Sequence, residues 1–156
     1  MMPQPLTEDA KVVLLLCAEF GSAKVGVITP LNTREYDVLA KWLRSRKWRP
    51  ADLLGPEGHQ ALKDGNLPLD GARIEKLLSR GLALALCVEK WTNKGMWVFC
   101  RSDAEGYPRR FKEYLKNDAP PVIYGVGDWH RLEQGGLAVW GIDHEGGAPR
   151  LILRSN

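Results

Sequence analysis

Apolar positions fall into short runs whose period changes once along the chain. From about Thr7 to Phe20, Val12, Val13, Leu15, Leu16 and Phe20 follow an N-cap residue type and stop before Gly21, which predicts a helix with a buried side. Asn32 and Glu35 then form a capping-box pattern, and Tyr36, Leu39, Ala40 and Leu43 follow at helical spacing, predicting a second helix. Pro50 to Leu54 reads as a short helical turn. Residues 55–69, with Gly55-Pro56, Gly58 and Gly65-Asn66, read as an irregular connector. Asp70 caps a further helix through Leu78, Gly81 interrupts it, and Leu82, Leu86, Val88 and Trp91 continue a helical pattern up to Asn93 and Gly95.

After Gly95 the period shortens. Met96-Trp97-Val98-Phe99-Cys100 is aromatic and β-branched and predicts a strand. Pro108 opens a short helix over Arg109–Lys116, Pro120-Pro121 stops it, and Val122-Ile123-Tyr124 predicts a second strand. Gly136 to Gly141 encloses a third, Leu137-Ala138-Val139-Trp140. The expected fold is therefore α+β to α/β: a helical bundle over 1–95, the opening of an α/β layer over 96–141, and an atypical tail over 142–156. With no long helix after it, the third strand is expected to lack a partner, which would make it an aggregation risk.

The 156 residues suffice for one ordinary domain, and 44% apolar with 26% charged residues describe a soluble globular chain. No stretch reaches the ~20 apolar residues of a membrane span, and no targeting segment is visible. Cys17, Cys87 and Cys100 are an odd, widely spaced set inside apolar stretches, which suits reduced thiols and a cytoplasmic location. His59, His130 and His144 are scattered, so neither a zinc site nor any other cofactor is expected. Gly125-x-Gly127 and Gly135-Gly136 lack the spacing and following helix of a dinucleotide fingerprint. Nor is there a nucleophile elbow or a Walker lysine loop, so the chain does not read as an enzyme.

Net charge is only +3, but its distribution is uneven. Residues 34–49 hold six positive and two negative charges. Lys41, Arg44, Arg46, Lys47 and Arg49, with Trp42 and Trp48 among them, are the candidate nucleic-acid contacts, because cations neutralise phosphates and indoles stack on bases. A solvated helix face with inward-packed tryptophans fits the same pattern. Arg101, Arg109, Arg110, Lys112 and Lys116 form a second basic cluster. Opposed by Asp103, Glu105 and Glu113, it reads as an exposed helix with local ion pairs, and Tyr107-Pro108 as a turn and packing anchor.

A strand ending in Ser102-Asp103 leads into Asp103-x-x-x-Tyr107-Pro108. About a dozen residues later comes Pro120-Pro121-Val122-x-Tyr124-x-x-Gly127, followed by the glycine-bounded Leu137–Val139 strand. Together with the helical N-terminal module, this succession resembles the DNA-processing protein DprA/Smf family over roughly residues 10–141. The resemblance implies a module like a sterile-alpha-motif or helix-hairpin-helix bundle, followed by the start of a Rossmann-like domain. It implies binding of single-stranded DNA and delivery of that strand to the RecA recombinase during natural transformation. In the family, a Gly-Ser/Thr-Arg turn after the first Rossmann strand holds phosphate. Gly141 stands at that glycine, but Ile142 and Asp143 replace the hydroxyl and the cation, and a carboxylate there repels phosphate. The expectation is thus a truncated or frameshifted form with impaired DNA binding. Two other readings stay open: an interaction module that contacts another protein or forms a homodimer, and a SLOG-like nucleotide-binding protein.

Overall fold

A computed structural model describes residues 5–19 and 28–134, together with the backbone of 137–141 and 150–154. The described chain is helix-rich α+β, with five helices before the first strand and one between the first two strands.

Helix α1 (Glu8–Cys17) begins as its sequence predicts, the Thr7 hydroxyl accepting the Ala10 N–H at 3.0 Å. Its burial is wider than one side: Ala10 and the whole run Val12, Val13, Leu14, Leu15 and Leu16 are inside, while the paired Glu8 and Lys11 side chains of its first turn reach solvent. A helix with so broad an apolar surface has to be central. Val12 and Leu16 join Leu39 and Leu43 of α2 (Thr33–Ser45), Leu62 of α3 (Pro56–Asp64), and Ile74 and Leu77 of α4 (Gly71–Leu78). Leu14 and Leu15 instead meet Leu84 of α5 (Gly81–Asn93). Arg80 finishes α1, donating to the otherwise unpaired carbonyls of Leu15 and, at 3.1 Å, Ala18.

Helix α3 corrects the reading of residues 55–69 as a connector. Its signals are present: Pro56 in the first turn, Glu57 beside it, and Gly65 as a left-handed C-cap with φ 68°. Gly58 and Gly65 had been weighed as breakers. Gly58 is instead a close-approach residue, because a Cβ there would lie 2.5 Å from the carbonyl oxygens of Asp52 and Leu53 in the preceding 3-10 turn (Pro50–Leu54).

Strand β1 (Met96–Cys100) pairs antiparallel with β2 (Val122–Val126), Phe99 standing opposite Ile123. The helix between them, α6 (Arg109–Leu115), buries none of its residues, so it does not cover the sheet as a parallel crossover helix would. β3 (Leu137–Gly141) pairs antiparallel with β4 (Arg150–Arg154), which corrects the expectation of an unpartnered third strand. Gly141 ends β3 opposite Arg150, while the positions after it, 142–149, lie outside the described residues, as does Phe20.

The helices and the β1–β2 ribbon share a core. Cys100 is buried with Ala10 and Val13, and Val98 and Val122 pack against the Leu14–Leu84 cluster. The Thr7 hydroxyl, besides capping α1, donates to Asp103 at 2.8 Å just past β1.

Candidate nucleic-acid interface

Helix α2 is held at its start by the capping box, in which the Asn32 side chain accepts the Glu35 N–H at 2.9 Å and Glu35 accepts the Asn32 N–H at 3.0 Å. Glu35 also receives both Arg73 guanidinium nitrogens at 3.0 Å, and Arg73 reaches the Thr29 and Pro30 carbonyls at 2.9 Å. The Arg73 hydrogen bonds hold the Glu35 carboxyl below its ordinary range. This clamp fixes where the basic face of α2 points.

The five cations singled out on and after α2 do not act together. Lys41 is paired with Asp37 at 2.9 Å. Arg49 is paired with Asp9 at 2.6 Å, and Asp9 also accepts the Ala51 N–H at 3.0 Å, so this arginine ties α1 to the 3-10 turn. The Arg46 guanidinium lies 4.6 Å from the Trp42 ring centroid and 5.4 Å from that of Trp48. Those rings stand edge to face at 5.7 Å, and the Trp42 N–H is spent on the Asn66 carbonyl at 3.0 Å. Lys47 is exposed in a left-handed turn (φ 58°), and Arg44 remains exposed on α2.

The second basic cluster behaves differently from its sequence reading. Arg101 is a structural cation: it reaches Asp37 at 3.2 Å and the Ala119 carbonyl at 3.3 Å, and stacks on buried Tyr36 at 5.1 Å. Burial pushes the Asp37 carboxyl up, but Lys41 and Arg101 outweigh it and leave the group below its ordinary range. The local ion pairs expected around α6 do not form. Asp103 instead accepts the Cys100 N–H at 2.8 Å and the Thr7 hydroxyl, and among the described residues neither Lys112 nor Lys116 has a carboxylate partner. Lys112 sits 5.5 Å from the Tyr107 ring. Lys116, where α6 passes into a 3-10 turn (Lys116–Asp118), has φ 49°, a left-handed conformation that costs a side-chain-bearing residue ~1–3 kcal/mol.

The 3-10 turn packs on α2, and the two basic segments then face one cleft of about 420 Å³. Arg44 and Trp48 line it from the α2 side, and Ser102, Lys112 and Lys116 line it from the other, with the Arg101–Asp37 pair between. The Ser102 hydroxyl is buried and has no hydrogen-bond partner among the described residues. Sequence reasoning had not singled out Ser102, Lys112 or Lys116 as site residues. The signal available was the four-residue spacing of the two lysines in a segment predicted helical, although Lys116 falls just past the helix end.

The motifs of the DprA/Smf resemblance are joined in space. The Tyr107 hydroxyl, itself buried, donates to the Pro120 carbonyl at 2.6 Å, and the Arg101 N–H donates to the Pro121 carbonyl at 2.9 Å. Gly127, at the end of the second motif, accepts the Trp97 indole N–H at 3.1 Å. These contacts hold the connector and ribbon together, and of the motif residues Tyr107, Pro120, Pro121 and Gly127 none lines the cleft.

Elsewhere, burial pushes the Cys17 thiol up to about 12 and raises the Cys100 thiol as well, so neither is a ready nucleophile. Among the described residues no cluster of His, Cys, Asp and Glu could hold a metal ion, and no helix is long and apolar enough to cross a membrane. Comparison with protein-family models, with curated proteins and with solved structures found no match.

Proposed function

We propose that this chain is a non-enzymatic, DprA/Smf-like cytoplasmic protein that binds single-stranded DNA and hands it to the RecA recombinase. The observation that carries the DNA-binding part is the cleft: four cations from segments far apart in sequence line it against one carboxylate, Asp37. Cations gathered in a concave surface neutralise a phosphate backbone better than the same charges scattered over a convex one. The RecA part and the Rossmann-like assignment rest on the resemblance, whose two motifs the Tyr107–Pro120 hydrogen bond links into one unit.

The test is a fluorescence-anisotropy titration of labelled oligo-dT at two salt concentrations. Binding that weakens steeply with salt supports the reading, and no binding at low salt overturns it.

A second reading, a protein-interaction module, draws on α5. Leu82 and Leu86, one helical turn apart, are 78% and 53% exposed, and Leu84 is the one buried residue of this apolar helix. Chromatography with light scattering would support a self-association reading if the mass doubled and if Leu82→Lys abolished the doubling.

A further inference from the structure

We infer that the cleft between α2 and the Lys116–Asp118 turn seats one nucleotide of a single strand, its phosphodiester on Lys112, Lys116 and the Ser102 hydroxyl and its base against Trp48. This rests on the DNA-binding reading above and gives that reading a location and a ligand geometry.

Three independent observations converge. First, Lys112 and Lys116, like Arg44 across the cleft, carry charge that no carboxylate among the described residues offsets, whereas Arg101 is already committed to Asp37 and to backbone carbonyls. A phosphodiester carries one negative charge and two acceptor oxygens, which two ammonium groups lining one cleft can share. Second, Ser102 belongs to the same wall, and its buried hydroxyl has no hydrogen-bond partner among the described residues, a destabilising state unless something accepts from it or donates to it. A phosphate oxygen accepts. Third, Lys116 is held with positive φ at the mouth of the turn that packs on α2. Strained backbone of this kind persists where the surroundings fix a side chain in place, and it clusters at ligand sites.

Trp48 supplies the other half of a nucleotide site. It is half-buried, braced edge-on by Trp42, and lines the cleft from the side opposite the lysines. Base stacking on an aromatic ring tolerates any sequence, as a protein handling single strands of arbitrary sequence requires. Arg44 beside it would meet the neighbouring phosphate.

The experiment titrates labelled oligo-dT into the full chain, comparing wild type with K112Q/K116Q, S102A, W48F and, as a control for loss of surface charge, K63Q. Because the two lysines share one phosphodiester, removing both should lower the slope of log affinity against log salt by about 0.7. K112Q/K116Q should therefore weaken binding by about tenfold at low salt and flatten the slope, while K63Q leaves the slope unchanged. S102A should weaken binding severalfold without altering the slope. Tryptophan emission should be quenched by saturating oligo-dT in wild type and much less in W48F, although a phenylalanine still stacks.

Intact strand binding with an unaltered slope in K112Q/K116Q overturns the seat and leaves the DNA-binding reading standing. Absence of strand binding in the wild type overturns both. Displacement of the strand by millimolar inorganic phosphate, beyond that by chloride of equal ionic strength, would assign the cleft to a free anion and overturn the nucleotide geometry. Circular dichroism of each variant separates loss of binding from loss of fold.

Discussion

The two basic segments, residues 41–49 and residues 101–116, look alike as strings of lysine and arginine and are used in opposite ways. On the first, Lys41 and Arg49 are spent on Asp37 and Asp9, Arg46 lies on two indoles, Lys47 is exposed away from the cleft lining, and Arg44 alone lines the cleft. On the second, Arg101 is spent in the same way, but Lys112 and Lys116 reach the cleft with their charge uncompensated by any described carboxylate. The denser charge run therefore sends fewer of its cations to the cleft. What sets the field at a surface is the charge left after pairing, and pairing depends on which carboxylates the fold carries past each cation.

The sharpest way to break this comparison is Arg101→Ala. Arg101 and Asp37 side chains are only 13% and 9% exposed, and the loss also removes the stack on Tyr36 and two bonds to backbone carbonyls. Because Asp37 keeps Lys41, we expect a loss of about 2–3 kcal/mol, read as a lower urea midpoint. If Arg101 were instead a free DNA-contacting cation, stability would hold and only affinity would fall.

Arg49→Ala should cost less, about 1 kcal/mol, because its side chain is largely exposed although Asp9 is not. Its oligo-dT affinity, and that of Lys41→Ala, should stay within about twofold of wild type, against the tenfold loss expected at Lys112 and Lys116. Equal losses at both segments would erase the distinction between them.

Lys116→Gly relieves the positive φ and should gain up to about 1 kcal/mol while weakening strand binding. Stability gained with affinity lost is the pattern of a residue strained for its function. Gain without loss would make the strain incidental.

The smallest effect is in acid. Arg73 lowers the Glu35 carboxyl, so its contribution to stability is full above the ordinary glutamate value of 4.5 and is lost as pH falls through the lower folded value. The urea midpoint should drop below about pH 4.5, and Glu35→Gln should be less stable at neutral pH with a shallower acid limb. A parallel limb in the variant would remove Glu35 from this account.

Much of the fold was legible from local pattern. Thr7, Asn32 with Glu35, and Asp70 cap the helices their positions announce, because a capping oxygen answers to backbone N–H groups two or three residues away. Helix α3 was misread because Gly58 has the same local signature whether it breaks a helix or lets another backbone approach. The site was less legible. Arg44 was found by its charge, but Lys112 and Lys116 looked like members of a neutralised helix, and Ser102 entered only as the end of a motif strand. An unpartnered hydroxyl exists only once its neighbours are placed.

The sequence by itself determined the helical caps, the strand-forming runs and the supply of positive charge, since each depends on residues within a turn or two of one another. Tertiary structure decided the antiparallel pairing of β1 with β2, the burial of α1 on more than one side, and which cations were left over. Those outcomes turn on contacts between residues far apart in the chain, 90 positions for Cys100 against Ala10 and 64 for Arg101 against Asp37. Local pattern carries no information about long-range neighbours, and at those neighbours a charge is either cancelled or left to act.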